Sequence, residues 1–333
     1  MESERIPEIS VVVPVYGVER YIERCAESLL SQTLRDGMEY IFVNDCTRDQ
    51  SMEVLNKVIG RHPERAQQIR IISHEANKGL PAARNTGLAH ARGKYVYHCD
   101  SDDYVDSTML EVMLRAAEKD DADIVWCDFY LTFSQNERRL SQLPAKTGRE
   151  GLSILLEGRM KYNVWNKIAR RSLYVDNDIS FPEGRPMGED MTMIKLMSCS
   201  KSVAYVPEAF YHYIRTNSGA MTQEYSSRQI SDLKANTEDT IAFLEQHVSD
   251  ERISEEIMFF KLNVKLPFLF SGNEEDYLRW QQWYPEANKF VMLNKLQPLR
   301  SRVLQWCAAN NLGFVNKLYN MIVFNIVYGK IYK

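Results

Sequence analysis

Residues 9–34 read ISVVVPVYGVERYIERCAESLLSQTL, and this stretch decides the architecture. Its first seven residues are almost continuously apolar and β-branched, as expected of a strand buried on both faces of a sheet. After the break at Tyr16-Gly17 the spacing changes. Ile22, Cys25, Leu29 and Leu30 recur at helical intervals, which predicts a helix over Tyr21–Leu34. The alternation continues, with strands predicted at Tyr40–Asn44, Ile69–His74, Tyr95–Cys99 and Ile124–Phe129 and helices at Met52–Ile59, Pro81–Ala91 and Thr108–Lys119. Regular β-α alternation implies an α/β protein with a doubly wound, mostly parallel, Rossmann-like sheet, whose ligand crevice lies beyond the carboxyl ends of the strands.

Past Glu150 the pattern is mixed, interrupted by Pro182, Gly184, Pro186 and Gly188 ahead of a short helix at Met191–Ser198; from Ser227 helical runs dominate. A composition of 44% hydrophobic and 26% charged residues can fill an ordinary core and excludes a disordered or collagenous chain. The net charge of −4 offers no basic footprint for nucleic acid. Six cysteines without a C-x-x-C pair read as reduced thiols, and a charged start running straight into a strand lacks a secretory signal, so the cytoplasm is the expected compartment.

Charge is uneven. Residues 289–333 hold seven Lys and Arg and no Asp or Glu. From Phe314 the tail is mostly apolar, but Asn316, Lys317, Asn320, Asn325 and Lys330 interrupt it, so it does not span a bilayer. As a helix it would gather Asn316, Lys317, Asn320 and Lys330 on one arc, with Asn325 the exception. Peripheral attachment to the inner face of the membrane is the expectation, with packing on the catalytic region or in a homodimer as the alternatives.

Three polar clusters stand just after predicted strands: Pro14-Val15-Tyr16, Asn44-Asp45-Cys46-Thr47-Arg48-Asp49 and Asp100-Ser101-Asp102-Asp103. Carboxylates two apart on such a turn can hold one hard cation, Mg²⁺ or Mn²⁺, which in turn binds a diphosphate. No G-x-G-x-x-G follows the first strand, and the segment from Gly87 to Lys94 has neither the spacing nor the strand-first context of a P-loop.

Taken together, Ser10–Tyr16, Ser28–Thr33, Val43–Asp49, Asn77-Lys78-Gly79 with Ala83–Gly87, Asp100–Asp103 and Gly188-Glu189-Asp190 resemble the family 2 glycosyltransferases of GT-A fold that act in bacterial cell-surface polysaccharide synthesis. That resemblance implies a catalytic domain over 1–225, with a nucleotide-sugar half at 1–130 and an acceptor-side half at 131–225, followed by a helical region at 226–333. It implies that Pro14, Tyr16 and Asp45 line the base pocket, with Asp45 accepting the uracil N3–H. Arg84 and Asn85 would lie beside the nucleotide, and Asp100, Ser101 and Asp102 at ribose and metal, Asp103 being an alternative ligand. Trp165 and Lys167 resemble the family's sugar-site Trp-Asn-Lys, although an indole there also suits a core. His212, Arg215 and Ser218 resemble a lid over the diphosphate, with His212 a candidate metal ligand. The family's Asp-Asp-Gly-Ser is here Asn44-Asp45-Cys46-Thr47, which keeps the key Asp45.

Asp190 is the candidate general base, since an inverting transfer needs one carboxylate opposite the leaving diphosphate. A helix starting near Met191 would put Asp190 at its positive end and keep it ionised, with Glu189 turned to backbone or acceptor. The reaction implied is metal-dependent transfer from a UDP-sugar to a glycan acceptor, which the family resemblance makes lipid-linked. A nucleotidyltransferase would release pyrophosphate but leaves Glu189-Asp190 without a role. A glycosidase needs two carboxylates straddling a bond, which sequence neighbours cannot do. A carbohydrate-binding module would need neither nucleotide nor metal.

Overall fold

The computed structural model describes residues 6–215, 226–271 and 273–322. Strand β1 (Ile9–Val15) is buried along its whole length, as its unbroken apolar character requires. It lies between two parallel neighbours, β2 (Met38–Asn44) and β4 (Tyr95–His98), and β3 (Ile69–Ser73) runs parallel outside β2. Helix α1 (Ile22–Leu30) buries the predicted stripe of Ile22, Cys25, Leu29 and Leu30. Helices α2 (Ser51–Arg61) and α3 (Leu80–His90) make the next two crossovers. A Cβ on Gly87 would overlap the Val12 side chain, so α3 lies directly on β1.

Because β2 and β3 step away on one side of β1 and the chain returns to place β4 on the other, the topological switch falls between β1 and β4. Tyr16 and Asp100 follow those two strands. Buried Gln32 braces this edge, accepting from Leu110 N at 3.0 Å and donating to Asp106 O at 2.8 Å.

Beyond β4 the sheet becomes mixed. Strand β8 (Lys167–Arg170) is antiparallel to both β4 and β6 (Ile124–Thr132), while β9 (Val203–Ile214) runs parallel to β6. Two short strands, β5 (Tyr104–Val105) on β9 and β7 (Glu137–Leu140) on β6, add antiparallel edges. The order is β3-β2-β1-β4-β8-β6-β9-β5. Those four strands were not anticipated, because β5 and β8 have at most four residues, β7 is charged, and β9 is broken by a register shift opposite Cys127–Phe129. Helices α4 (Met109–Lys119), α6 (Arg171–Asp176) and α7 (Thr192–Cys199), with the first turn of α5 (Gly148–Leu156), complete the α/β part.

The chain divides into two compact units, residues 1–151 with 162–240 and residues 152–161 with 241–333. The first holds the sheet and the start of α8 (Ser227–His247). The second is helical, with α9 (Ile253–Lys265), α10 (Glu274–Gln282), α11 (Leu299–Ala309) and α12 (Gly313–Ile322) around buried Phe260, Leu269, Trp280 and Leu304. No helix among the described residues is long and apolar enough to cross a membrane.

Candidate active site

At the carboxyl end of β4, Asp100 meets a buried arginine. Arg84, 1% exposed on α3, donates from Nη2 to Asp100 Oδ1 at 2.8 Å and from Nη1 to Glu189 Oε1 at 2.9 Å and Asp190 Oδ1 at 3.2 Å. Its guanidinium also lies 5.3 Å from the Phe181 ring centroid. Residues 84, 100, 189 and 190, which lie far apart in sequence, are thus joined through one fork. Gly188, at φ +85°, turns the chain into the single turn Glu189–Met191 that precedes α7. Only a residue tolerant of the left-handed region suits that position.

Electrostatics here set Arg84, in direct contact, and Lys167, nearby, against three carboxyl groups. Burial opposes the charge on Arg84, but Asp100, Glu189 and Asp190 outweigh it and raise its pKa. Burial also pushes the Glu189 carboxyl up, neighbouring Asp190 adds to this, and Arg84 opposes it. The Asp190 carboxyl is likewise raised by burial, against the lowering pull of Arg84. Burial therefore acts against the ionised form of Asp190 that the helix end was expected to favour. Glu189 shares Arg84 with Asp190 and does not turn elsewhere. Lys167, fully buried, donates to Asn163 O and Asn166 Oδ1 at 2.8 Å each. Burial pushes it down to about 7, with Asp190 pulling the other way.

The donor chemistry suits a hard cation. Asp100 and Asp102 offer carboxylate oxygens on one turn, and Mg²⁺ or Mn²⁺ is commonly held by one or two carboxylates plus substrate phosphates. Among the described residues no three His, Cys, Asp or Glu side chains close around one point as a metal cage, so phosphate oxygens would have to complete the shell. The carboxylate charge beside Arg84 is what such a cation would balance.

Asp103 and His212 lie elsewhere. The Asp103 carboxylate is 1% exposed and accepts from Tyr211 Oη at 2.6 Å and Ile214 N at 2.7 Å. It is turned into the sheet, and burial with Asp102 and Asp100 nearby pushes its pKa well up. His212 stacks on Tyr104 at 4.2 Å, with Nδ1 2.7 Å from Glu137 Oε1 and Nε2 3.3 Å from Asp106 Oδ1. Both ring nitrogens face carboxylates, leaving neither for a cation.

The remaining candidates divide similarly. Tyr16 is 53% exposed at the crevice mouth, and Ser101 is buried in the Asp100–Asp103 turn. Pro14 is buried within β1. Asp45, 2% exposed, accepts at Oδ1 from Lys78 N at 2.8 Å and faces His74 Nδ1 at 2.7 Å, and accepts at Oδ2 from Gly79 N at 2.8 Å. Its first task is shaping the loop that starts α3, and Oδ2 accepts a single hydrogen bond among the described residues. Cys46, at φ +57°, occupies the left-handed position where the resembled motif has glycine. Asn85 points away from the cluster and clamps the following loop, donating to Phe181 O at 2.9 Å and accepting from Phe181 N at 2.8 Å. Trp165 is 5% exposed and stacks on Tyr211 at 4.2 Å and edge-on against Phe129 at 4.8 Å, so it is a core residue. Arg215 caps the end of β9, its N–H donating to Thr132 O at 2.9 Å. Ser218 lies outside the described residues.

Two participants were missed. His74 links Asp45 to Thr86 Oγ1, 2.8 Å from its Nε2, and its place at the end of a predicted strand was the available signal. Phe181 forms one wall of the arginine pocket, and nothing in its Pro-Gly-rich surroundings marked it.

An α/β sheet with acidic turns gathered at its switch point is a scaffold of the nucleotide-binding class, with its ligand crevice beyond the carboxyl ends of the strands. The glycosyl transferase family 2 model matches residues 10–179. The uncharacterized glycosyltransferase EpsJ of Bacillus subtilis is 34% identical over 283 residues, covering 80% of this chain and 78% of that protein. The cholesterol galactosyltransferase of Borreliella burgdorferi is 32% identical over 248 residues, covering 70% and 67%. Staphylococcus aureus TarS in complex with UDP-GlcNAc superposes with a TM-score of 0.67 at 20% identity, covering 98% of this chain and 93% of that one. The chain belongs to glycosyltransferase family 2 and has the GT-A fold, which sets aside the nucleotidyltransferase and binding-module alternatives.

Proposed function

We propose that this chain is an inverting glycosyltransferase that moves a sugar from a UDP-sugar to a hydroxyl of a glycan acceptor. The observation that carries the reading is the Arg84 fork, which gathers Asp100 from the turn after β4 and Asp190 from the turn before α7. One carboxylate thereby serves the donor side and another the acceptor side. The acceptor oxygen attacks the anomeric carbon as the bond to the diphosphate breaks, and Asp190 takes the hydroxyl proton. Burial suits Asp190 to this role, because a base whose pKa lies nearer neutrality transfers protons more effectively. Arg84 and Glu189 position that carboxylate and do not themselves receive the proton.

Tyr16 offers an exposed ring for the base, and the Asp45 carboxylate suits the uracil N3–H. Asp100 and Asp102 would hold a divalent cation, which when bound neutralises charge on the departing diphosphate. TarS in complex with UDP-GlcNAc supports a UDP-linked donor, and a relative that galactosylates cholesterol supports a lipid-borne acceptor. We extend this to peripheral attachment at the inner membrane face and to surface polysaccharide synthesis.

Asp190→Asn tests the assignment. UDP affinity, read by calorimetry with Mn²⁺ present, should stay within about twofold while transfer falls about a hundred- to ten-thousand-fold. Unimpaired transfer would remove Asp190 as the base, and absence of UDP binding by the parent protein would remove the donor.

A further inference from the structure

We propose that the second unit carries a docking face for an anionic lipid surface, built by α11, α12 and the segment entering α11. This deepens the peripheral-membrane reading above and is independent of the transfer chemistry.

Each helix buries polar side chains and leaves an apolar stripe exposed, α12 burying Asn316 and Asn320 and α11 burying Ser301 and Gln305 alongside Leu304, Cys307 and Ala308. On α12, Asn316 and Asn320 are 3% and 7% exposed and turn into their own unit, donating to Leu304 O at 3.3 Å and Leu269 O at 2.8 Å. The two asparagines of the expected polar arc therefore face protein, while Lys317 stays exposed. The opposite stripe is apolar and open: Phe314 is 68% exposed, with Leu318, Met321 and Ile322 following at helical spacing. On α11, Ser301 and Gln305 are buried while Leu299, Val303 and Trp306 stand exposed four and three residues apart. Met292, Leu293 and Leu296 add exposed side chains just upstream. Single exposed apolar residues are ordinary, but two ordered stripes with polar groups buried behind them mark a surface meant to be covered.

Charge selects the occupant. Lys295 and Arg300 are exposed among these side chains, residues 289–333 contain no acid, and Lys317 beside the α12 stripe pairs with exposed Glu274 at 3.7 Å, so the free basic character rests on Lys295 and Arg300. A twofold contact between two copies would bring this patch against itself and set like charges face to face. Anionic headgroups around an apolar interior satisfy both features, basic side chains contributing at the headgroup level and Trp306 and Phe314 at the boundary.

The test is flotation of the full chain on vesicles of phosphatidylcholine alone and of equimolar phosphatidylcholine and phosphatidylglycerol. The parent protein should float with the anionic vesicles only. Lys295→Glu with Arg300→Glu should lower partitioning at least about fivefold per reversed charge. Leu299→Gln with Trp306→Gln and Leu318→Gln should lower it by roughly tenfold or more. Val175→Gln, an exposed apolar site in the other unit, should float like the parent. All these sites are exposed, so unchanged unfolding temperature and retained UDP binding certify the fold. Flotation of both face variants at the parent level would leave attachment intact but remove this face. No flotation by the parent would remove face and attachment together while leaving the donor chemistry standing. A parent dimer that the face variants dissolve, without flotation, would assign the face to a second copy and overturn the proposal.

Discussion

Replacing Arg84 by methionine removes the guanidinium shared by Asp100, Glu189 and Asp190 and leaves three carboxyl groups around an apolar side chain. Breaking a buried ion pair costs about 3–5 kcal/mol, because the stranded partner keeps its desolvation penalty. Three partners push toward the upper end. Their side chains, 24%, 11% and 24% exposed, admit some water and push toward the lower. At about 2–4 °C per kcal/mol for a domain of this size, the unfolding temperature should drop by roughly 6–20 °C. Arg84→Lys keeps the charge but loses the fork, and should fall between.

The sign of the pH dependence follows from the raised carboxyls. Glu189 and Asp190 hold protons in the folded state that the unfolded chain releases, so they cost stability as pH rises from the ordinary carboxylate range through their raised values. Arg84 opposes both shifts, so its removal steepens the loss, and the deficit of the variant should be larger at about pH 8 than at about pH 5.5. Thermal unfolding by circular dichroism at both values is the assay. A drop under about 2 °C at both would refute the idea that Arg84 neutralises this cluster.

The transfer rate itself should decline on the acid side with a midpoint above the ordinary carboxylate range, since Asp190 must be deprotonated to act and burial raises its pKa. A kcat profile that stays flat down to about pH 4 would contradict this. Asp100→Asn and Asp102→Asn should each weaken Mn²⁺-dependent UDP binding at least about tenfold, whereas Asp103→Asn should chiefly lower stability, because its oxygens are spent on Tyr211 and Ile214. Equal losses of UDP affinity in all three would show Asp103 facing the ligand. Trp165→Ala should cost about 3–5 kcal/mol of stability as a core truncation, while Trp165→Phe should retain most activity; loss of activity by the phenylalanine variant at full stability would return the indole to the sugar site.

The sequence by itself determined the parallel half of the sheet and the positions of its chemistry. ISVVVPV could only be a strand buried on both faces, and strand ends are local, so Tyr16, Asp45 and Asp100 could be put at one crevice from a linear reading. What tertiary structure decided is which way those side chains turn and what they meet. Asp102 and Asp103 are neighbours with identical chemistry, yet Asp103 is drawn inward by Tyr211 and Ile214 from a strand about a hundred residues later. Trp165 became core because that same strand lays Tyr211 across it, and His212 is held between carboxylates from two other segments. In the C-terminal helices the periodicity was legible, but not its direction, since Asn316 and Asn320 find backbone carbonyls inside their unit and leave the apolar stripe outside. Periodicity fixes which residues share a face. Which face is buried depends on the partners that long-range folding brings to it.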